Sequence, residues 1–196
     1  MAGPERGPSI DRALVRLLDR LPRAAFEGRV CRQLAPGYHP LSGEGARIHG
    51  GRWNPPDSFA VLYTAPEPAT CLAELARAAR LQGLRPADLL PRRLVTYEVR
   101  LVRVLDLTDE SVLAALGVTT ETVVADDLRR PRAIGAAAHF VGFEALRAPS
   151  AARPGAVTLP IFIEQLSAAS RVDVAASEEL ALDLERDEER AEERAA

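Results

Sequence analysis

Apolar residues recur at helical spacing near the start of the chain. Ile10, Leu14, Leu17, Leu18 and Leu21 fall on one face of a helix over residues 9–21. Ser9 is placed to cap it, Asp11 suits the positive end of its dipole, and Pro22 stops it. From Arg32 to Pro56 the periodicity is lost while Gly and Pro become frequent, which predicts a long irregular segment of the kind that carries function in compact domains. Residues 60–65 (AVLYTA) read as a short buried strand, PEPAT as a turn, and CLAELARAAR as a helix capped by Thr70 and ended near Gly83. Val95, Tyr97, Val99 and Leu101 alternate as a strand, which VRVLDL continues with a change of face that points to a bulge. Thr108 opens a further helix, with Gly117 just past its end. Residues 132–146 predict an apolar helix closed by Ala148-Pro149, and Val157, Leu159, Ile161 and Ile163 alternate as a last strand. Helices and strands mix without regular βαβ alternation, so the expected class is α+β in a single compact domain. Its body spans residues 29–170, after an N-terminal helical segment at 1–28 and before an acidic tail of good helix formers at 171–196.

Composition narrows the function. The chain is 47% hydrophobic and 27% charged, as a globular protein is, and no run of apolar residues is long enough to span a bilayer. The N-terminus has arginines and an aspartate where a signal peptide needs apolar residues, so a cytoplasmic location is expected. Two cysteines, Cys31 and Cys71, are too few for a disulfide framework or a four-cysteine zinc site. All 25 basic residues are arginine, which weakens inference from any single one. Charge is uneven: from Ser177 to Ala196 nine acids face three arginines, a net of −6, leaving +3 on the rest. As a helix that tail sets Asp183 against Asp187 and Glu185 against Glu189, partly offset by Arg186; it reads as a solvated helix or frayed end. A mildly basic body suits a small anionic ligand and gives no nucleic-acid footprint.

The stretch with most chemistry is LSGEGARIHGGRWNPP, residues 41–56. Its four glycines permit close backbone approach to a ligand, Arg47 and Arg52 can grip phosphate oxygens, and Trp53 offers a flat apolar surface. Such a loop suits a pyrophosphate, and equally a tight surface turn. It is neither a Walker A loop nor a GxGxxG turn between strand and helix. Tyr63 lies in the next strand and Glu74 eleven positions on, early in a helix. Taken alone, Glu74 reads as complementing the dipole or pairing with Arg77; the sharper reading is a catalytic carboxylate facing the preceding loop. Ser150 alone reads as capping a turn, and Asp126-Asp127 as a solvated loop with local ion pairs. His139 reads as a core histidine, and His39 and His49 lack neighbours at metal-ligand spacing, so no metal site is expected. Cys31, beside Arg32, lacks a base that would make it a nucleophile.

Taken together, Arg32, the run SGEGARIHGGRWNPP, VLYTA at 61–65, CLAEL at 71–75 and APSA at 148–151 resemble the RES-domain family, the toxins of bacterial RES–Xre toxin–antitoxin pairs. The resemblance covers residues 29–165. It implies a fold similar to ADP-ribosyltransferases and an activity on NAD⁺ as substrate, with no prosthetic group. The implied function is an NAD⁺-degrading toxin, a glycohydrolase or a phosphorylase with inorganic phosphate as co-substrate, restrained by an Xre-type helix-turn-helix antitoxin. The alternatives are a protein ADP-ribosyltransferase and a nucleotide-binding module without catalysis. The family's arginine falls on Arg32 or Arg52, its glutamate on Glu74, its serine on Ser150 and its tyrosine on Tyr63. In that scheme Glu74 stabilises positive charge building on the ribose, while Arg32 and Arg52 clamp the pyrophosphate. Tyr63 stacks on nicotinamide or ribose, Ser150 hydrogen-bonds there, and Arg47 is the candidate for a phosphate acceptor. Gln33 stands where relatives often carry an aromatic residue, leaving Tyr38 or Trp53 to stack in its place.

Overall fold

A computed structural model describes residues 10–180. In chain order its elements are α1 (Arg12–Leu18), β1 (Ala24–Leu34), α2 (Glu44–His49), β2 (Leu62–Thr64), α3 (Pro68–Leu81), β3 (Arg93–Asp106), α4 (Glu110–Ala115), α5 (Thr120–Val124), α6 (Arg129–Val141), β4 (Ala145–Pro149), β5 (Val157–Ile161) and β6 (Arg171–Glu179). The class is α+β, built on one mixed sheet.

The strong alternation of residues 95–101 becomes β3, the strand that organises the sheet. One of its edges is covered by β1, antiparallel. The other is divided: β6 runs antiparallel along Arg93–Arg100, and β4 runs parallel along Val104–Asp106. The sheet continues from β4 through β5 to β2, antiparallel at both steps. Its two ends then meet, because Cys31 of β1 bridges Ala65 just past β2. Cys31 N–H donates to Ala65 O at 2.8 Å and Ala65 N–H to Cys31 O at 2.9 Å.

The expected bulge lies where β6 and β4 part from β3. Ala24 faces Val104 while Phe26 faces Leu101, so β3 carries one extra residue there. The freed Val102 and Arg103 N–H groups donate to Glu144 Oε2 at 2.8 and 3.1 Å. Ser170 Oγ donates to the same oxygen and Ser167 N–H to Oε1, at 2.8 and 3.0 Å. Glu144 is fully buried, with Arg103 Nε 3.4 Å from Oε1. Burial alone would raise its pKa, but these donors prevail and bring it down to about 2. A carboxylate absent from the sequence reading thus fills the fork of the sheet.

Several boundaries differ from the sequence expectation, for local reasons. Asp11 caps α1, accepting from Ala13 and Leu14 N–H, so the helix starts inside the predicted span. Residues 32–56 are not wholly irregular: Arg32–Leu34 finish β1, and Glu44–His49 form α2. Thr70 does not cap α3; Glu67 holds that position with Pro68 opening the helix, and Thr70 sits buried in the first turn. Asp109 rather than Thr108 caps α4. The predicted 132–146 helix stops at Val141, where Gly142 adopts φ 87°. Its last residues, with Ala148-Pro149, belong to β4. The strand at 157–163 ends at Ile161, and Ile163–Gln165 make a 3₁₀ turn. Residues 171–179, assigned in the sequence to the tail, pair with β3 as β6. The predicted helical pairs at 183–189 lie outside the described residues.

Helices α1 and α4–α6 share one core with β3 and β4, around Leu105, Ile134, Phe143 and Leu146. The strands make a second among themselves, around Val95, Tyr97 and Ile161. A small third core lies under α3, formed by Cys31, Ala65, Cys71 and Leu75 with Leu94 and Leu180. Helix α6 lies hard against the segment before β2: a Cβ on Gly135 would fall 1.9 Å from Trp53 O, so only glycine allows this approach. Among the described residues, no helix is long and apolar enough to cross a membrane.

Candidate active site

The end of β1, the 42–52 segment, β2, α3 and α6 enclose a cleft of about 720 Å³. Five arginines (Arg32, Arg52, Arg77, Arg92 and Arg132) and two carboxylates, Glu74 and Asp126, line it. It is therefore a positively charged cleft with one carboxylate set into its α3 wall.

Helix α3 is moored along one side to the loop between β4 and β5. Arg153 pairs with Glu67 at its start and donates to Thr70 Oγ1 at 3.2 Å. Ser150 Oγ then donates to Glu74 Oε1 at 2.7 Å. Ser150 Oγ itself accepts from Ala152 and Arg153 N–H, at 3.2 and 3.1 Å. With its acceptor side occupied, the buried Ser150 hydroxyl gives its only proton to Glu74. Glu74 is thus held by one oxygen while its carboxylate borders the cleft. It does not pair with Arg77, which pairs instead with Asp126.

Tyr63 also lines the cleft, fixed through its hydroxyl. Its hydroxyl accepts from Trp53 N–H at 2.9 Å and donates to Asn54 Oδ1 at 2.8 Å. Asn54 is fully buried and donates to Ala46 O at 2.6 Å, so GGRWN and β2 are tied together. Burial pushes the Tyr63 pKa far above the ordinary phenol range, keeping the hydroxyl neutral. Gly51 is required by the ring: an added Cβ would lie 2.3 Å from Tyr63 Oη and 2.5 Å from Cζ. Gly51→Ala is expected to cost about 2 kcal/mol by overpacking, a fall in Tm of about 6 °C. A thermal melt checks this, and an unchanged Tm would mean that Tyr63 yields freely.

The arginines are positioned by carbonyl groups. Arg52 Nη1 donates to Val123 O and Ala125 O at the end of α5, at 2.9 and 2.7 Å. Burial lowers its pKa, and neighbouring Arg77 adds to this against Glu74, Asp126 and Tyr63. Arg32 Nη1 donates to Ser42 O at 2.8 Å, and burial likewise lowers its pKa, opposed by Tyr97. Arg132 Nε donates to Gly51 O at 2.9 Å, and Arg92 Nη1 to Gln33 Oε1 at 2.6 Å.

Of the residues singled out in the sequence, the cleft gathers Arg32, Arg52, Tyr63 and Glu74, with Ser150 behind Glu74. Arg47 is not among the cleft's lining residues and is bound through Nε and Nη2 to Glu44 on the same short helix. Trp53 cannot stack on a ligand, being 1% exposed in the α1–α6 core. Tyr38, 55% exposed, lines the cleft beside Gln33. His139 stands apart, stacked on Phe59 at 4.0 Å. Arg77 enters the sequence reading only as a partner for Glu74, and nothing local marks Arg92 or Arg132 among 25 arginines. Among the described residues, no three His, Cys, Asp or Glu side chains group as a metal site.

Comparison with known proteins bears on this cleft. Residues 23–184 match the RES domain family. The chain is 33% identical over 151 residues to NAD(+) phosphorylase MbcT of Mycobacterium tuberculosis, covering 76% of this chain and 81% of that protein. It is 34% identical over 146 residues to the probable NAD(+) phosphorylase Rv3189 of the same organism, covering 74% and 69%. In three dimensions it is similar to a chain of the M. tuberculosis MbcT–MbcA toxin–antitoxin complex, with a TM-score of 0.80 at 29% identity over 91% of this chain and 98% of that one.

Proposed function

The chain belongs to the RES domain family, and from that premise we propose that it is a toxin that cleaves the nicotinamide–ribose bond of NAD⁺ and passes the ADP-ribose to inorganic phosphate. The observation that carries this reading is one oriented carboxylate, Glu74 on Ser150, in a cleft edged by five arginines. A dinucleotide brings two phosphate charges and leaves a cationic ribose as nicotinamide departs; the cleft has groups for both.

In this mechanism Arg52 and Arg32 bind the pyrophosphate, their guanidinium planes set by carbonyls rather than by competing acids. The Tyr63 ring, its hydroxyl engaged by Trp53 and Asn54, supports the nicotinamide end. Glu74 offers its negative charge to the ribose as the glycosidic bond lengthens. Ser150 acts through Glu74 and holds that carboxylate in place. The acceptor phosphate needs a second cationic position, which falls to Arg132, held by Gly51 O, rather than to Arg47, which pairs with Glu44 and does not line the cleft. A named phosphorylase among the relatives favours phosphate over water. By the same likeness, the partner is an antitoxin protein, of the Xre helix-turn-helix type.

Mass spectrometry of products from purified protein and NAD⁺, with and without phosphate, tests the reading. Nicotinamide with ADP-ribose-1″-phosphate, formed only when phosphate is present, is the expected result. Free ADP-ribose at equal rates in both conditions would make it a glycohydrolase. NAD⁺ consumed only when cell lysate is added would make it a protein ADP-ribosyltransferase, and NAD⁺ bound but intact throughout would leave a binding module.

A further inference from the structure

The chain has two cysteines, 40 positions apart, and the fold brings them together. Cys31 Sγ and Cys71 Sγ lie 3.0 Å apart, closer than ordinary van der Waals contact of two sulfurs. Both are free and buried. Cys31 is the residue whose bridge to Ala65 joins the two ends of the sheet. Cys71 Sγ donates to Cys31 O at 3.0 Å, and Cys31 Sγ to Ala65 O at 3.3 Å. The pair occupies the small core under α3, packed with Ala65, Leu75, Leu94 and Leu180. Its neighbours along the chain are Arg32 and, one turn further along α3, Glu74.

We infer that Cys31 and Cys71 form a redox modification site, in which a peroxide oxidant joins them as a reversible disulfide that staples α3 to the junction of β1 and β2. The step balances as two thiols and one hydrogen peroxide giving one disulfide and two waters. One of the two sulfurs attacks a peroxide oxygen, the O–O bond breaks, and water leaves a sulfenic acid. The other sulfur then attacks the oxidised one, the S–O bond breaks, and the hydroxyl takes the second thiol's proton to leave as the second water. The close contact of the two sulfurs favours a thiolate on one of them while burial keeps the other a thiol. The 3.0 Å separation lets either sulfur attack first, with the other as the resolving thiol.

The join closes a loop of 40 residues in the unfolded chain. That restriction is expected to raise Tm by about 10 °C. The test uses the reduced full-length chain, treated with hydrogen peroxide, unfolded, alkylated and analysed by mass spectrometry. The expected result is a loss of two hydrogens, a single cross-linked peptide pair containing Cys31 and Cys71, and reversal by dithiothreitol. The rise in Tm should be absent in Cys71→Ser. Both thiols still alkylated after treatment would overturn the proposal, as would two or three oxygens added to either cysteine with the other free. A cross-link that leaves Tm unchanged would remove the staple. The mass readout on the unmodified chain does not depend on how the serine variant folds.

Discussion

Glu74→Gln is expected to lower the rate of nicotinamide release from NAD⁺ about 1,000-fold while leaving KM within a few-fold and Tm nearly unchanged. The carboxylate's charge matters only once the ribose becomes cationic, so its loss falls on the transition state, about 4 kcal/mol at 25 °C. The fold should tolerate the change. Glutamine keeps an oxygen that can accept from Ser150 Oγ, now 2.7 Å from Glu74 Oε1, and the other arm of the side chain borders open cleft. Ser150→Ala should act in the same direction but less strongly, because it frees Glu74 to turn without removing its charge. Steady-state kinetics with a nicotinamide readout separates the two. A Glu74→Gln protein that turns over normally would take Glu74 out of the chemistry; one that fails to bind NAD⁺ would make its role structural.

The second large effect is on stability. Glu144→Gln is expected to destabilise the chain by about 3 kcal/mol, a fall in Tm of about 10 °C, because a buried acceptor would become in part a donor facing donors. Four protein groups donate to this carboxylate: Val102 and Arg103 N–H, Ser170 Oγ and Ser167 N–H. Either orientation of the amide sets an NH₂ against one of these sets. The pH dependence follows from the same contacts. The folded-state pKa of Glu144 is about 2, against 4.5 for an unperturbed glutamate. Between those values the unfolded chain binds the extra proton, so the stabilisation is complete above about pH 4.5 and drains away as pH falls toward 2. Denaturant melts of both proteins from pH 7 to pH 3 should show their stability difference shrinking on acidification. A difference that stays constant across that range would mean Glu144 is not the titrating group.

What could be read from the sequence follows what is one-sidedly buried. β3 shows itself because Val95, Tyr97, Val99 and Leu101 alternate with more exposed positions, and even its bulge is visible as the point where the alternation changes face. α3 and β2 carry family motifs as well as periodicity. β1 escapes because Glu27, Gly28 and Arg29 break its alternation where the strand is exposed. β6 escapes because every residue but Val172 is exposed: its place is set by backbone hydrogen bonds to β3, which leave no hydrophobic signature. β4 is short and alanine-rich and continues the composition of α6, so only Gly142 marks the break. Arg32, Arg52, Tyr63 and Glu74 in the cleft, and Ser150 behind it, are marked by motif, whereas Arg77, Arg92 and Arg132 arrive from α3, the residue before β3 and α6 by folding alone. Trp53 shows the reverse failure: a glycine-rich neighbourhood suggests exposure, yet Gly135 lets α6 press so close that the indole is enclosed.

The bond between Ser150 and Glu74 joins residues 76 positions apart. On a ribosome adding about 5–20 residues per second, the helix bearing Glu74 emerges about 4–15 s before the hydroxyl that orients it. β6, which completes the edge of β3, follows later still. A nascent chain therefore carries Arg32, Arg52 and Glu74 well before it carries the arrangement that makes them a site.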